Sequence, residues 1–295
     1  MKIIVTHSAP DLDAVTSVWL IKRFLQNWSD AEVQFVPAGS RMEGSLPGSE
    51  VVDVIEKVKG NEVIQVDTGL GPLDHHQTMS DKVCGASLTW DYVRKDKEML
   101  KDTDKIHDRE EAITRIVNIV IEDDHFKDVF RPDPTADYFE FMLGEILDGL
   151  KLQKPDDDKF YVEFIMACLD AVMHSFENRI WAEKEIKENG KAFDTKWGKG
   201  IGFETINDDV IKLSQKMGFT VVVRKDPRKG YVRIKANPKF DIDFTNIYEQ
   251  LKKMDPEATW FLHVSKKMLL NGTPKNPKMK PTTLKLDDII SVLKK

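Results

Sequence analysis

The stretch "VIQVDTGLGPLDHHQ", residues 63–77, decides the fold prediction because an apolar run ends there in acids and histidines. Its β-branched residues up to Val66 predict a buried strand, and the glycines and Pro72 that follow predict a loop. Four side chains that bind metal ions in many proteins stand at the end of this strand and in its loop: Asp67, Asp74, His75 and His76.

A second strand end near the N-terminus carries the same kinds of side chain. "KIIVTH", residues 2–7, predicts a short strand, and "AVTSVWLIKRFLQNW", residues 14–28, predicts a helix with apolar residues at helical spacing. His7 closes the strand, and Asp11 and Asp13 follow it. Because an open α/β sheet binds ligands at the carboxyl ends of its strands, we expect both groups at one edge.

Strands and helices alternate through the first part of the chain. Residues 31–39 predict a strand, and residues 49–60, 85–100 and 110–126 predict helices. This order favours an α/β fold with a mostly parallel, doubly wound N-terminal sheet and helices on both faces. Beyond Gly190, short strands and helices indicate a smaller C-terminal α+β domain.

Three segments are therefore expected along the chain. Residues 1–150 would form a domain that carries these acids and histidines, residues 151–192 a helical linker and residues 193–295 a basic domain. The net charge of -6 over 295 residues conceals this asymmetry, because residues 201–295 contain 19 Lys+Arg and 11 Asp+Glu, a balance of +8. An unevenly charged surface is the alternative interpretation.

Composition also limits the class of protein. A hydrophobic content of 41% is sufficient for a buried core. Cys84 and Cys168 lie far apart without a CxxC spacing, so neither a disulfide framework nor a thiolate zinc site is indicated. The N-terminal apolar run is too short for a signal peptide or a membrane span, so we expect a cytoplasmic protein with no membrane partner.

The acids and histidines at the predicted edge suit divalent cations. Carboxylates and imidazoles bind hard or borderline ions, and a carboxylate can bridge two of them. Two ions about 3.5–4 Å apart would clamp a phosphoryl group and generate a hydroxide nucleophile near neutral pH. The spacing alone leaves both metal binding and a solvated acidic edge open.

Three motifs in order resemble those of the DHH phosphoesterase superfamily: "THSAPDLDAVTS" with His7, Asp11 and Asp13, "VIQVDTG" with Asp67, and "LDHHQ" with Asp74, His75 and His76. Only six residues separate Asp67 from Asp74, whereas exonuclease and oligoribonuclease branches have a further strand and helix there. The short link, with "ATWFLHVSKKMLLNG" at residues 258–272, is similar to the melanocyte proliferating gene family, whose members are described as metal-dependent RNA exonucleases.

The resemblance implies a set of ligands for two manganese ions, with Mg²⁺ or Co²⁺ as alternatives. His7, Asp11 and Asp67 would hold one ion. Asp67 would bridge to the second ion, whose further ligands would be Asp13, His75 and Asp123. Asp74 would orient His75, and His76 would face the phosphate or the leaving oxygen.

A fourth motif of the superfamily is an aspartate after a mostly apolar helix. "IVNIVIEDDHF" offers both Asp123 and Asp124. Asp123 is preferred because a single acid separates it from the apolar stretch, and Asp124 would then support the ligands. Two acids in a solvated loop are the alternative interpretation, and His125 beside them is left open.

The resemblance implies hydrolysis of phosphodiester bonds in short RNA or a small nucleotide, as by a 3′–5′ exoribonuclease or oligoribonuclease. A pyrophosphatase-like hydrolase and a catalytically weak nucleotide or nucleic-acid sensor are the alternatives, and a homodimer is considered. The superfamily's "GGGH" substrate loop is absent, and "KKMLLNGTPKNPK" stands near its place. Five basic residues are candidates for binding the substrate, each with ordinary surface charge as the alternative: Arg224, Arg233, His263, Lys266 and Lys267. Trp260 would lie in the core or stack on a base.

Overall fold

The computed structural model of the chain describes residues 1–95, 106–273 and 276–294. The described residues form ten β-strands, which are arranged in two sheets, and eight α-helices, which confirms the mixed α/β class. They divide into two compact units, Met1–Glu177 and Asn178–Lys295. The division falls inside one long helix, within residues 151–192, where the sequence analysis expected a helical linker.

The first unit contains a four-stranded sheet with the order β2-β1-β4-β3. Its strands are β1 (Lys2–His7), β2 (Glu32–Val36), β3 (Glu56–Val58) and β4 (Asn61–Gln65). β1 runs parallel to both β2 and β4, and β3 is antiparallel to β4. Val5 lies opposite Gln65, and the amide of Val66 donates to the carbonyl oxygen of Val5. The carboxyl ends of β1 and β4 therefore lie side by side.

The helices of the first unit follow these strand ends. They are α1 (Leu12–Phe24), α2 (Gly85–Val93), α3 (Ile106–Asp124), α4 (Leu143–Gln153) and α5 (Asp158–Asn189), of which α5 continues into the second unit. α1 begins at an Asp11 cap whose Oδ1 accepts from the amide of Ala14 at 2.9 Å. α2 begins at the predicted residue, and residues 96–100 of that predicted helix lie outside the described residues.

The helix predicted over residues 49–60 is wrong. That segment contains a single 3-10 turn, Gly48–Glu50, and then β3, which forms a hairpin with β4. Both residues of the hairpin turn have positive φ, 48° at Lys59 and 83° at Gly60. A turn with two positive φ angles matches the twist of a two-residue hairpin, and the β-branched residues before it favour a strand.

The second unit contains a six-stranded sheet with the order β5-β6-β7-β8-β10-β9. Its strands are β5 (Lys191–Thr195), β6 (Gly198–Glu204), β7 (Val221–Lys225), β8 (Val232–Ala236), β9 (Trp260–Leu262) and β10 (Met268–Asn271). β6 and β7 are parallel, and the other neighbours are antiparallel.

Helices cover the two faces of this second sheet differently. They are α6 (Asp209–Lys216), α7 (Thr245–Met254) and α8 (Leu286–Leu293). Val221 and Val223 belong to an apolar core with α7 and α8, and Val222 belongs to a second core with α6 and the last part of α5. This alternation follows from the two-residue period of a strand. Within the described residues, no helix combines the length and apolar character needed to cross a bilayer.

Candidate metal centre

The backbone at the end of β4 places the Asp67 carboxylate between the two strand ends. Asp67 has φ of +51°, in the left-handed region that residues other than glycine seldom adopt. Its amide donates to the carbonyl oxygen of Leu73 at 3.0 Å, which closes the loop back onto the strand. The loop is also held by Arg41, whose Nη1 donates to the carbonyl oxygen of Gly69. Such a backbone conformation persists only where its surroundings fix it.

The two carboxylate oxygens of Asp67 face two different histidines. Oδ2 lies 3.4 Å from Nε2 of His7, and Oδ1 lies 3.5 Å from Nε2 of His75. His7 Nε2 is also 3.8 Å from Oδ2 of Asp11, so the structure brings His7, Asp11 and Asp67 together as one possible ligand group. The carboxylate of Asp67 thus belongs to two groups at once.

The His75 group has the spacing of ligands around one ion. Its Nε2 lies 3.7 Å from Asp13 Oδ2, 3.5 Å from Asp67 Oδ1 and 3.6 Å from Asp124 Oδ2. Ligands at about 2.1 Å from a tetrahedral ion stand roughly 3.4 Å from one another. Within the described part of the chain, His75 Nε2, Asp67 Oδ1 and Asp124 Oδ2 are buried without a hydrogen-bond partner. Buried polar atoms are seldom left unsatisfied, so a cation fits this space.

The start of α2 holds the Asp13 carboxylate through backbone amides. The amide of Gly85 donates to Oδ2 and the amide of Ala86 to Oδ1, each at 2.6 Å. A Cβ atom on Gly85 would lie 3.0 Å from Asp13 Oδ2 and 3.1 Å from Asp67 Oδ1, so the absent side chain leaves room for both carboxylates. Cys84, the residue before Gly85, is also buried.

The pKa values of Asp13 and His7 are both raised, as expected where several carboxylates lie close together without a counter-ion. Burial and the neighbouring Asp67 raise the pKa of Asp13 well above its ordinary range. Burial lowers the pKa of His7, but hydrogen bonds to Asp67 and Ser8 and the charge of Asp11 raise it to about 9. Protons are therefore retained where a cation would otherwise bind, and binding of a cation would release them.

Asp124, and not the preferred Asp123, lies beside His75, with its Oδ2 3.6 Å from Nε2 of the imidazole. Asp124 follows Val120 by four residues and thereby continues the buried stripe of α3. The carboxylate of Asp123 lies instead against Gly144 of α4, where a Cβ would stand 2.9 Å from its Oδ2. Burial and the charges of Glu145 and other neighbouring acids raise the pKa of Asp123 to about 6.

His125 joins the site at a position that the sequence analysis left open. Its Nε2 lies 3.6 Å from Asp124 Oδ2 and 3.0 Å from the carbonyl oxygen of Val83. His75, Asp124 and His125 form a further possible ligand group. The sequence signal for this group was the direct adjacency of a histidine to the two acids.

Asp74 positions His76, whereas the resemblance implied that it would orient His75. Asp74 Oδ1 lies 2.7 Å from Nδ1 of His76, and its Oδ2 accepts from the amide of Leu70 at 2.6 Å. Burial opposes the ionised form of both side chains, but their mutual hydrogen bond lowers the pKa of Asp74 and raises that of His76. The His76 side chain is 58% exposed and borders a cavity of about 330 Å³ that His7, Asp11 and Asp67 also line.

The five candidate substrate-binding residues all have local partners in the second unit. Arg224 is only 4% exposed, and its Nε lies 2.8 Å from Asp208 Oδ1; Arg233 pairs with the same carboxylate. The other three are bound to neighbouring loop atoms: Lys266 to Asp243, Lys267 to the carbonyl oxygen of Phe240, and His263 to Ser265. Trp260 is 6% exposed within the apolar core, which excludes the stacking alternative.

Comparison with known proteins adds little to this geometry. No protein-family model matches the chain, and no curated protein matches it. A solved structure of an uncharacterized protein from Helicobacter pylori G27 is similar over 99% of this chain and 97% of that chain, with 13% sequence identity and a TM-score of 0.24. A likeness at this level carries no argument about fold or function.

The two neighbouring acids give a matched test of the ligand set. We expect Asp124→Asn to bind one Mn²⁺ ion fewer than the unaltered chain, because the change takes a charged oxygen from beside His75. Asp123→Asn should bind as many ions as the unaltered chain. Calorimetric titration of Mn²⁺ into the metal-free variants measures the stoichiometry. Loss of an ion from Asp123→Asn alone would restore the original assignment.

The space at Gly85 gives a second test. Gly85→Ala should weaken Mn²⁺ binding by about tenfold or more, as changes beside metal ligands commonly do, because its Cβ crowds the carboxylates of Asp13 and Asp67. Gly149→Ala on α4 is the matched control, since nothing lies within 4 Å of its Cβ position. Thermal unfolding of both variants shows whether the fold is kept. Equal Mn²⁺ affinities for the two variants would contradict a close-packed site.

Proposed function

We propose that this chain is a metal-dependent phosphoesterase of the DHH superfamily, in the branch of the melanocyte proliferating gene family. It hydrolyses phosphodiester bonds of short RNA or of a small nucleotide. The observation that carries the proposal is the position of the Asp67 carboxylate, whose two oxygens lie 3.4 Å from His7 and 3.5 Å from His75. A carboxylate shared by two ligand groups is the arrangement that a pair of ions requires.

The ligand sets follow from the distances at these two groups. His7, Asp11 and Asp67 would hold one Mn²⁺, and Asp13, Asp67, His75 and Asp124 would hold the other. The carboxylates, which are the majority of each set, suit Mn²⁺, with Mg²⁺ and Co²⁺ as alternatives, and each set adds one imidazole. When bound, the ions would neutralise phosphate charge and acidify a water molecule for in-line attack, with no covalent intermediate.

His76 and Asp74 supply the proton transfer in this proposal. The Asp74 carboxylate accepts the Nδ1–H of His76, which leaves Nε2 as the nitrogen that gains or loses a proton. Because His76 is exposed at the cavity and held by Asp74, it can give a proton to the leaving oxygen. Asp74 is buried, and its hydrogen bond to Nδ1 orients the imidazole ring of His76.

The finer features of the fold belong to the same proposal. They are a doubly wound first sheet, a catalytic role for residues 1–150, a substrate-binding role for residues 193–295 and action in the cytoplasm, with a homodimer as the assembly considered. β1, β2 and β4 are parallel, and the acids and histidines follow the carboxyl ends of β1 and β4, which supports the first two of these.

Activity should depend on Mn²⁺ and on Asp67. With Mn²⁺, purified protein should cleave oligoribonucleotides of graded length or a cyclic dinucleotide, and chelation should abolish turnover. Asp67→Asn should lower kcat by about a hundredfold or more, because it alters both ligand groups at once. Asp53→Asn, in an exposed loop, is the control. Turnover that survives Asp67→Asn would sink the two-metal mechanism.

The same substrate panel separates the alternatives. Turnover of pyrophosphate or nucleoside monophosphates, with none on diesters, would replace the proposal by a phosphoanhydride or phosphomonoester hydrolase. Tight binding of one nucleotide without turnover would favour a sensor.

The role of His76 predicts a dependence on the leaving group. His76→Gln should lower kcat on an RNA diester by about a hundredfold, within the range for loss of a general acid, and keep both Mn²⁺ ions. On a nitrophenyl ester the decrease in kcat should be smaller, because the nitrophenolate leaving group needs no proton. His174→Gln, at an exposed histidine of α5, is the matched control. An equal loss on both substrates would show that His76 does not donate this proton.

A further inference from the structure

One face of the second sheet carries basic and aromatic side chains on its β8, β10 and β9 half. Along β8, Val232 and Ile234 enter the core with α7 and α8, so Arg233 and Lys235 lie on the opposite face. The register extends this face across the neighbouring strands, since Leu270 lies opposite Arg233 and Phe261 opposite Leu270. We call this set the open face; it contains Arg233, Lys235, Met268, Leu270 and Phe261.

The open face is accessible because the helices on its side pack elsewhere. The core formed there by α5 and α6 includes Ile201 and Phe203 of β6 and Val222 of β7. Phe261 is 47% exposed, and Arg233, Lys235, Met268 and Leu270 are half-buried. The half-exposed ring of Phe261 therefore shares a face with two cations, and β10 separates it from Arg233 by two strand spacings, about 10 Å.

The cations of this region outnumber their counter-ions. Arg224 lies opposite Arg233 in the register of β7 and β8, and the single carboxylate of Asp208 pairs with both guanidinium groups. Lys235 has no ion pair among the described residues. Burial and the nearby charges of Arg233, Lys212 and Arg224 lower the pKa of Lys235. An anion at this position would relieve that repulsion.

We propose that the open face binds single-stranded RNA, with Arg233 and Lys235 contacting phosphates and Phe261 stacking on a base. The choice of RNA rests on the proposed function. The choice of a single strand rests on the face itself, because an exposed aromatic ring can stack on an unpaired base while cations on the same sheet face contact its neighbouring phosphates, whereas a small anion would need the cations alone. His263, two residues after Phe261, accepts from the Ser265 amide through Nδ1, which leaves its Nε2–H as a further donor.

Binding can be measured apart from catalysis. In the full chain with metal chelated, a fluorescent eight-nucleotide oligouridylate should bind, and its anisotropy should show affinity that falls with salt. Lys235→Glu should weaken binding by about tenfold or more and reduce the slope of log affinity against log salt by about 0.7, the value for one single-strand phosphate contact. Phe261→Ala should weaken binding by about tenfold with little change in that slope.

Each control variant makes the same change in charge or in aromatic content at a position outside the open face. Lys253→Glu on α7 makes the same charge change on the helix of the opposite face, and Phe130→Ala removes an exposed ring from the first unit. Both should bind as the unaltered chain does, and thermal unfolding verifies the fold of each variant. Unaltered affinity in both Lys235→Glu and Phe261→Ala would overturn the proposal, as would absence of oligouridylate binding. A Phe261→Ala variant that binds as the unaltered chain does would overturn the stacked base.

The two proposals fail separately. Binding lost in Lys235→Glu, together with an absence of Mn²⁺-dependent cleavage in the unaltered chain, would keep the open face and remove the phosphoesterase. Cleavage with normal affinity in both open-face variants would keep the phosphoesterase and remove this surface.

Discussion

The mutual repulsion of closely spaced carboxylates is the constraint on which the first unit depends. Asp13, Asp67 and Asp124 all lie within 3.7 Å of one imidazole nitrogen of His75. A chain folds around such a group only where fixed donors and enforced geometry hold each acid in place. The left-handed backbone of Asp67 supplies part of that geometry, and the start of α2 supplies the donors. Parallel β1 and β4 determine where the acids meet.

Sequence reasoning predicted the elements that depend on local pattern. The predictions of β1, β4 and the helix between β1 and β2 were correct, because the hydrophobic pattern of each segment has the period of the element that it forms. The helix prediction for residues 49–60 was wrong, because their apolar spacing suits a helix whereas their β-branched content and positive-φ turn suit a hairpin. The pairing partner decided between these, and a partner across a sheet is invisible in local sequence.

The site was predicted as a set of residues but not as a set of contacts. Asp123 and Asp124 are adjacent in sequence, yet one residue turns a helix by about 100°, so the choice between them is a choice of face. Asp74 likewise contacts the second histidine of its motif and not the first. In the second unit, charge alone selected cations that already have partners, such as Lys266 with Asp243. Lys235 and Phe261 emerged only from strand register.

The way Asp13 is held limits how this protein can be recognised. Its carboxylate is fixed by main-chain amides of Gly85 and Ala86, which every residue except proline can offer. At Gly85 substitution is restricted by volume, because a Cβ would crowd the carboxylates of Asp13 and Asp67, and no polar side chain takes part in holding Asp13 there. A search built on side-chain signatures would pass over this part of the centre, whereas a search built on steric room at a helix start would find it.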